Sequence, residues 1–248
     1  MTRSQPSWEI RVAAVGDLHV EPEVSGDWRR ALEPVSDQAD ALLLAGDLTQ
    51  GGTAEEAAAL AAALAEVAIP VFAVLGNHDL DACHSDRLRR ILERAHVCVL
   101  EGDAAALDVR GHTLGIAGTI GFGGGFLGAE AADFGEAEMK SFVGRSRRLA
   151  DSLEAALASL DAEVRIALTH YAPVADTLQG ERREIHPFLG SHFLGTAIDA
   201  TGADLALHGH AHLGCEEGKT PGGVIVRNVA QPVIRAPYRV FRFGGFGP

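Results

Sequence analysis

The chain is poor in the residues that most often announce a role. Cysteine occurs three times, at Cys83, Cys98 and Cys215, far apart and odd in number. No Cys-x-x-Cys occurs, so neither a disulfide framework nor a thiolate zinc knuckle is supported. Basic residues are few: Lys+Arg is 21 against Asp+Glu 34, for a formal net charge of −13. A protein that tracks a nucleic-acid backbone carries a basic stripe. Here the arginines are scattered, and the small clusters at residues 145–148 and at Arg182 and Arg183 read as solvated faces. No nucleic-acid partner is expected. No apolar run approaches the ~20 residues of a membrane span, and residues 1–8 hold no apolar signal core. These absences predict a cytoplasmic protein in a reducing compartment, without a membrane partner. Repeats and linker-like stretches are also missing, which predicts a single domain over residues 1–248 with a loose tail at 244–248.

What is present is ample apolar content, 47% of 248 residues, enough for a large core. Short β-branched runs alternate with helical patterns, which predicts an α/β fold. Strands are expected at residues 10–15, 41–45, 70–75, 97–100, 105–109, 113–117, 164–168, 203–207, 222–229 and 238–243. One helix is expected over 27–38, and a second opens at Thr53, where Glu56 three residues on completes a capping box. Further helices are expected over 85–94, over 136–160 with a break near Gly144, and over most of 190–200. The run Gly121-Phe122-Gly123-Gly124-Gly125-Phe126 lacks the GK[ST] ending of a phosphate-binding P-loop. It reads as a flexible loop, either a tight connection or a cover over the site with Phe122 against substrate. Residues 176–192 are polar, with Arg182, Arg183 and His186, and are expected to overhang the same place.

The polar residues cluster at strand ends. Strand 10–15 runs into Gly16-Asp17-Leu18-His19, strand 41–45 into Gly46-Asp47, and strand 70–75 into Gly76-Asn77-His78-Asp79. Strand 164–168 runs into Thr169-His170, and strand 203–207 into His208-Gly209-His210-Ala211-His212. Ligands of α/β sheets bind outside the carboxyl ends of the strands, and residues i and i+2 of extended chain share a face. Asp17, His19, Asp47, Asn77, His170, His210 and His212 thus supply seven nitrogen and oxygen donors without a thiolate. That chemistry suits Mn²⁺, Fe or Zn²⁺. The number exceeds what one ion needs and suggests two ions sharing a carboxylate.

In this order the motifs resemble those of the calcineurin-like metallophosphoesterase superfamily, and they span residues 16–212. The resemblance implies a four-layer α/β/β/α sandwich of two mixed sheets flanked by helices, with a two-metal centre. By motif, Asp17, His19 and His212 would hold one ion, Asn77, His170 and His210 the other, and Asp47 would bridge them. His78 would be the general acid for the leaving alkoxide, steered by Asp79. Two divalent ions, two carboxylates and a bridging hydroxide sum to about +1, so a phosphate is attracted although the chain is acidic. His208 lies outside the ligand motif and is expected beside a ligand or facing substrate. Gly76 is expected only to let the chain turn.

The chain departs from the Ser/Thr protein phosphatases, which carry Asp-Arg-Gly where Leu48-Thr49-Gln50 stands, and from the purple acid phosphatases, whose tyrosine ligand has no counterpart. Gly46-Asp47-Leu48-Thr49-Gln50 with Gly76-Asn77-His78-Asp79 is most similar to the bacterial class III cyclic-nucleotide phosphodiesterases. The expected function is metal-dependent hydrolysis of a small soluble phosphodiester such as a cyclic nucleotide. A phosphomonoesterase, a nuclease and a non-catalytic scaffold are the alternatives. The oligomeric state stays open, a homodimer included.

Overall fold

The computed structural model describes residues 8–82 and 84–245. Cys83 and residues 246–248 of the expected loose tail lie outside them. The first sheet has the order β13-β1-β2-β3-β4, made of Arg239–Phe243, Ile10–Val15, Ala41–Ala45, Val71–Val74 and Val97–Val99. Its strands are parallel except β13. The second has the order β11-β12-β10-β9-β6-β5, made of Glu217–Lys219, Ile225–Asn228, Leu205–His208, Val164–Thr169, His112–Thr119 and Asp103–Val109. Here β6, β9, β10 and β12 are parallel, and the antiparallel β5 and β11 form the edges.

Alternation within the strands assembles the layers. Ile10, Val12, Ala14, Leu43 and Val74 face Leu114, Ile116, Ile166, Leu168 and Leu207 of the other sheet. Their neighbours Ala13, Val15, Leu42 and Leu44 face outward, toward helices that carry Leu32, Leu60, Leu88 and Leu92. Burial on both sides explains why β2, and β1 beyond Arg11, read as continuous apolar runs. The outer layer of the first sheet is α1 (Ser25–Leu32), α2 (Val35–Gln38), α3 (Ala54–Leu64) and α4 (Ser85–Arg94). On the second sheet α5 (Ala137–Ala158) and α7 (His192–Thr201) bury Leu153, Leu157, Leu194 and Ile198 against Ala117, Ala167 and Ala206. This is the expected α/β/β/α sandwich. No helix among the described residues is long and apolar enough to cross a membrane.

Several local expectations change. The helix expected over 27–38 is two, α1 and α2, because Pro34 cannot continue the backbone ladder. The break expected at Gly144 is absent and α5 is continuous. A mid-helix glycine costs only ~1 kcal/mol, and the apolar stripe through Val143, Ala150 and Leu153 holds the helix to the sheet. The glycine-rich loop is built in: residues 123–126 are buried, the Gly124 N–H donates to the Pro187 carbonyl (2.7 Å) and the Gly125 N–H to the Gly190 carbonyl (2.9 Å). Gly125–Phe126 (β7) then pairs with Ala129–Glu130 (β8). Two short helices escape the sequence pattern, α6 (His186–Leu189) and α8 (Gln231–Ile234).

The Thr53 capping box is formed, with the Glu56 amide donating to the Thr53 hydroxyl and the Thr53 amide to the Glu56 carboxylate. Thr53→Ala should therefore lower stability by about 1 kcal/mol in urea unfolding, with an unchanged m-value.

Candidate metal centre

The carboxyl ends of β1, β2 and β3 meet those of β9 and β10. Backbone bonds stitch them: Gly16 N–H to Val229 O (2.8 Å), Asp17 N–H to Gly46 O (2.9 Å), His19 N–H to Asp47 O (3.0 Å) and Gly209 N–H to His170 O (3.1 Å). The turns that leave these ends are strained. Asp17, His19, Asp47 and His210 all sit in the left-handed region, with φ of 57°, 44°, 48° and 69°. Such a conformation costs non-glycine residues on the order of 1–3 kcal/mol and gathers at functional sites. It aims the four side chains inward at one place.

Three groups of donor atoms form there, each within 4.8 Å of one another: Asp17, His19 and His212; His19, Asp47 and His78; Asp47, His170 and His210. Asp47 and His19 each belong to two groups. The His212 Nε2 lies 2.7 Å from Asp17 Oδ1, and the His19 Nε2 lies 3.8 Å from Asp47 Oδ2. At His170 the Nδ1–H donates to the Ala45 carbonyl (2.9 Å). The opposite nitrogen, Nε2, then presents a lone pair to Asn77 Oδ1 at 3.0 Å and Asp47 Oδ1 at 3.3 Å, both acceptors. Three lone pairs converging on one point call for a cation. Both ring nitrogens of His19 are buried without a hydrogen-bond partner, and an ion ligated at one of them would satisfy that nitrogen. The residues present therefore fit divalent ions.

The protonation states of Asp17, His19 and His210 agree, while the bond to Asp17 raises the pKa of His212. Burial works to raise the Asp17 pKa, but the bond from His212 and the nearby His170 hold it below the ordinary carboxylate value. Burial pushes His210 down to about 3 and also lowers His19 against the pull of Asp47 and Asp17. At neutral pH those histidines offer free lone pairs, as ligands must.

Two glycines make close approach possible. Gly76 was expected only to turn the chain. A Cβ there would stand 2.1 Å from Asp47 Oδ1, and one on Gly209 would stand 2.3 Å from Asp17 Oδ2. Both glycines make room for a neighbouring strand's carboxylate.

His78 is half-buried and its amide donates to Asp47 Oδ1 (2.9 Å). Its ring Nδ1 lies 2.8 Å from the Gln50 carbonyl, which can only accept, so the proton sits on Nδ1 and Nε2 is left for chemistry. Asp79 was expected to do this steering and does not. It is fully buried and accepts from the amides of Leu48 (3.1 Å), Thr49 (2.9 Å) and Gly76 (2.8 Å) and from the Thr49 hydroxyl (2.7 Å). Burial raises its pKa, while the Thr49 hydroxyl and the Gly76 and Leu48 amides oppose the rise. Asp79 is the clamp that ties the end of β2 to the end of β3. Asp79→Ala strands three buried amides, each costing about 1–3 kcal/mol, so the melting temperature should fall steeply. An unchanged melting temperature with lost activity would return Asp79 to a direct chemical role.

The expected substrate contacts fare unevenly. His208 does not face substrate: it is fully buried, bonded to the Gly209 carbonyl (2.7 Å) and the Thr177 hydroxyl (2.8 Å). Burial lowers its pKa to about 4 from 6.5. The unfolded chain then binds the extra proton first, so stability is complete above pH ~6.5 and falls as pH drops through ~4, by about 3 kcal/mol in all. His208→Gln should flatten that fall in chemical denaturation series at pH 4–7; an unaltered slope would refute it. Arg183 and His186 line a cavity of about 680 Å³ with Phe126, Leu127 and Gln179, whose lining includes none of the candidate ligands, and Arg182 is exposed. Segment 176–192 touches the site instead through the Phe188 carbonyl, 3.2 Å from His210 Nε2. Phe122 stands one ring away from the candidate ligand His210, packed on Tyr171 (centroids 5.7 Å apart), which packs on His210 (4.4 Å). The sequence assigns no role to Tyr171 or to the Gln50 carbonyl. Tyr171 directly follows the candidate ligand His170, which is the available signal; a backbone carbonyl leaves none.

Fold and site define a metal-dependent phosphoester hydrolase. The profile of the calcineurin-like phosphoesterases matches residues 10–214, and the chain belongs to that family. Among solved structures it is similar to the phosphopantetheinyl hydrolase of Mycobacterium tuberculosis, with a TM-score of 0.68 at 18% identity over 94% of this chain and 96% of that one. It is also similar to the protein TT1561 of Thermus thermophilus, with 0.53 at 19% identity over 95% and 98%. A putative 5′-nucleotidase of Staphylococcus aureus gives 0.56 at 14% identity over 89% of this chain and 48% of that one. No curated protein sequence matches significantly.

Proposed function

We propose that the protein hydrolyses a small soluble phosphodiester at a two-metal centre. Asp17, His19 and His212 would hold one divalent ion, Asn77, His170 and His210 the other, and Asp47 would serve both. The observation that carries this reading is Asp47 itself, shared between two donor groups while the lone pairs of His170 and His19 point beside it without a proton donor. Bound divalent ions supply Lewis acidity, acidifying a water and neutralising phosphoryl oxygens.

The chain's own residues do the rest. Histidine and carboxylate ligands without thiolate favour Mn²⁺ or Fe, with Zn²⁺ also suited. His78, its Nδ1–H held by the Gln50 carbonyl, presents Nε2 to the leaving oxygen; protonated at both nitrogens, it would give its Nε2 proton to the departing alkoxide and be left as the neutral Nδ1–H ring. The buried His170 and Asp47 exclude water from the far side of the site.

The test is hydrolysis of bis(p-nitrophenyl) phosphate and of cyclic nucleotides by Mn²⁺-loaded protein. No turnover on either refutes the reading. Asp47→Asn should lose metal by elemental analysis. His78→Ala should keep its metal and lose about 10²–10⁴ in rate on alkyl diesters, with less loss on p-nitrophenyl esters, whose leaving group needs no proton.

A further inference from the structure

The site has a second, cationic arm. Arg145 lies in α5 and places its guanidinium carbon 4.3 Å from the centroid of the Phe122 ring. Phe142, one turn earlier on the same helix, flanks that ring at 5.0 Å. Phe122 abuts Tyr171 at 5.7 Å, and Tyr171 abuts the candidate ligand His210 at 4.4 Å. The chain carries 34 acidic residues, yet no carboxylate among the described residues lies within ion-pairing distance of Arg145, whose charge reaches Glu101 only through space. Stacking fixes the plane of a guanidinium and leaves its N–H edges outward, the geometry that receives a phosphate or carboxylate in two parallel bonds.

From this we infer that Arg145 recognises a second anionic group of the substrate, separate from the phosphoryl group undergoing hydrolysis. Two aromatic rings, Phe122 and Tyr171, separate its guanidinium from His210, so the group it binds is set apart from the scissile phosphorus by their span. The preferred substrates are phosphodiesters that carry an additional phosphate or carboxylate. A helix mount supports the assignment, because α5 is anchored to the second sheet from Leu149 to Leu157, starting one turn beyond Arg145, and holds the charge at a fixed span. Arg182 and Arg183 have no such platform: neither stacks on a ring, and Arg183 opens onto the separate cavity near Phe126.

The inference rests on the phosphodiesterase reading, and the experiment separates the two. Wild-type hydrolysis of bis(p-nitrophenyl) phosphate, which has no second anion, stands or falls with that reading alone. The inference is read from the ratio of kcat/KM for thymidine 3′-phosphate 5′-(p-nitrophenyl phosphate) to that for thymidine 5′-(p-nitrophenyl phosphate). In wild type the ratio should exceed about ten, the tenfold that each 1.4 kcal/mol of added binding gives. Arg145→Gln should bring it near one, chiefly by raising KM for the first ester, and Arg145→Lys should restore part of it. A wild-type ratio near one, or a ratio that survives Arg145→Gln, overturns the assignment.

Discussion

A single buried carboxylate makes the site possible. Asp79 gathers amide donors from Leu48, Thr49 and Gly76 and a hydroxyl from Thr49, so the loops leaving β2 and β3 close on one acceptor. Neighbouring strands in a parallel sheet diverge once their ladder stops, and their free amides need partners. Asp79 supplies those partners and fixes the approach of Asp47 to Asn77 and His78. The His78 amide then donates to Asp47, which orients that carboxylate toward His170. Remove the acceptor and the donor cluster loses its geometry before it loses any donor atom.

Close approach is the second constraint. The strand ends converge so tightly that side chains fit only where the neighbour has none. Gly76 lies against Asp47 and Gly209 against Asp17. The left-handed turns at Asp17, His19, Asp47 and His210 are a cost of the same convergence. Backbone bonds between neighbouring strand ends of each sheet hold those turns in place, and the Gly16 N–H to Val229 O and His210 N–H to Asp17 carboxylate bonds cross between the sheets.

The architecture was legible because burial on two faces writes itself as apolar runs, and because five of those runs ended in the polar residues of the site, three of them directly after a glycine. The donors Asp17, His19, Asp47, Asn77, His170, His210 and His212 were legible for the same reason. What chemistry lay between them was less so. Asp79 looked like a partner for His78 because it is adjacent in sequence, but the short 3-10 turn at His78–Leu80 sends it inward, away from the ring. The Gln50 carbonyl that takes its place is backbone, which any residue could supply. His208 looked like a ligand-side histidine, yet it is still in β10 and points into the protein, where Thr177 meets it. Arg145 read as a solvated face, since nothing local ties it to Phe122, 23 residues earlier in the chain.

Two of the three donor groups draw on both sheets: Asp17, His19 and Asp47 follow strands of the first, and His170, His210 and His212 follow strands of the second. An ion bound in either group is thus a rivet through the seam of the sandwich. Ligation that belongs to the folded state alone adds about 2.7 kcal/mol when free metal stands a hundredfold above its dissociation constant. The cell's supply of divalent metal would then set the lifetime of the folded protein as well as its activity, and metal starvation would thin the population by proteolysis.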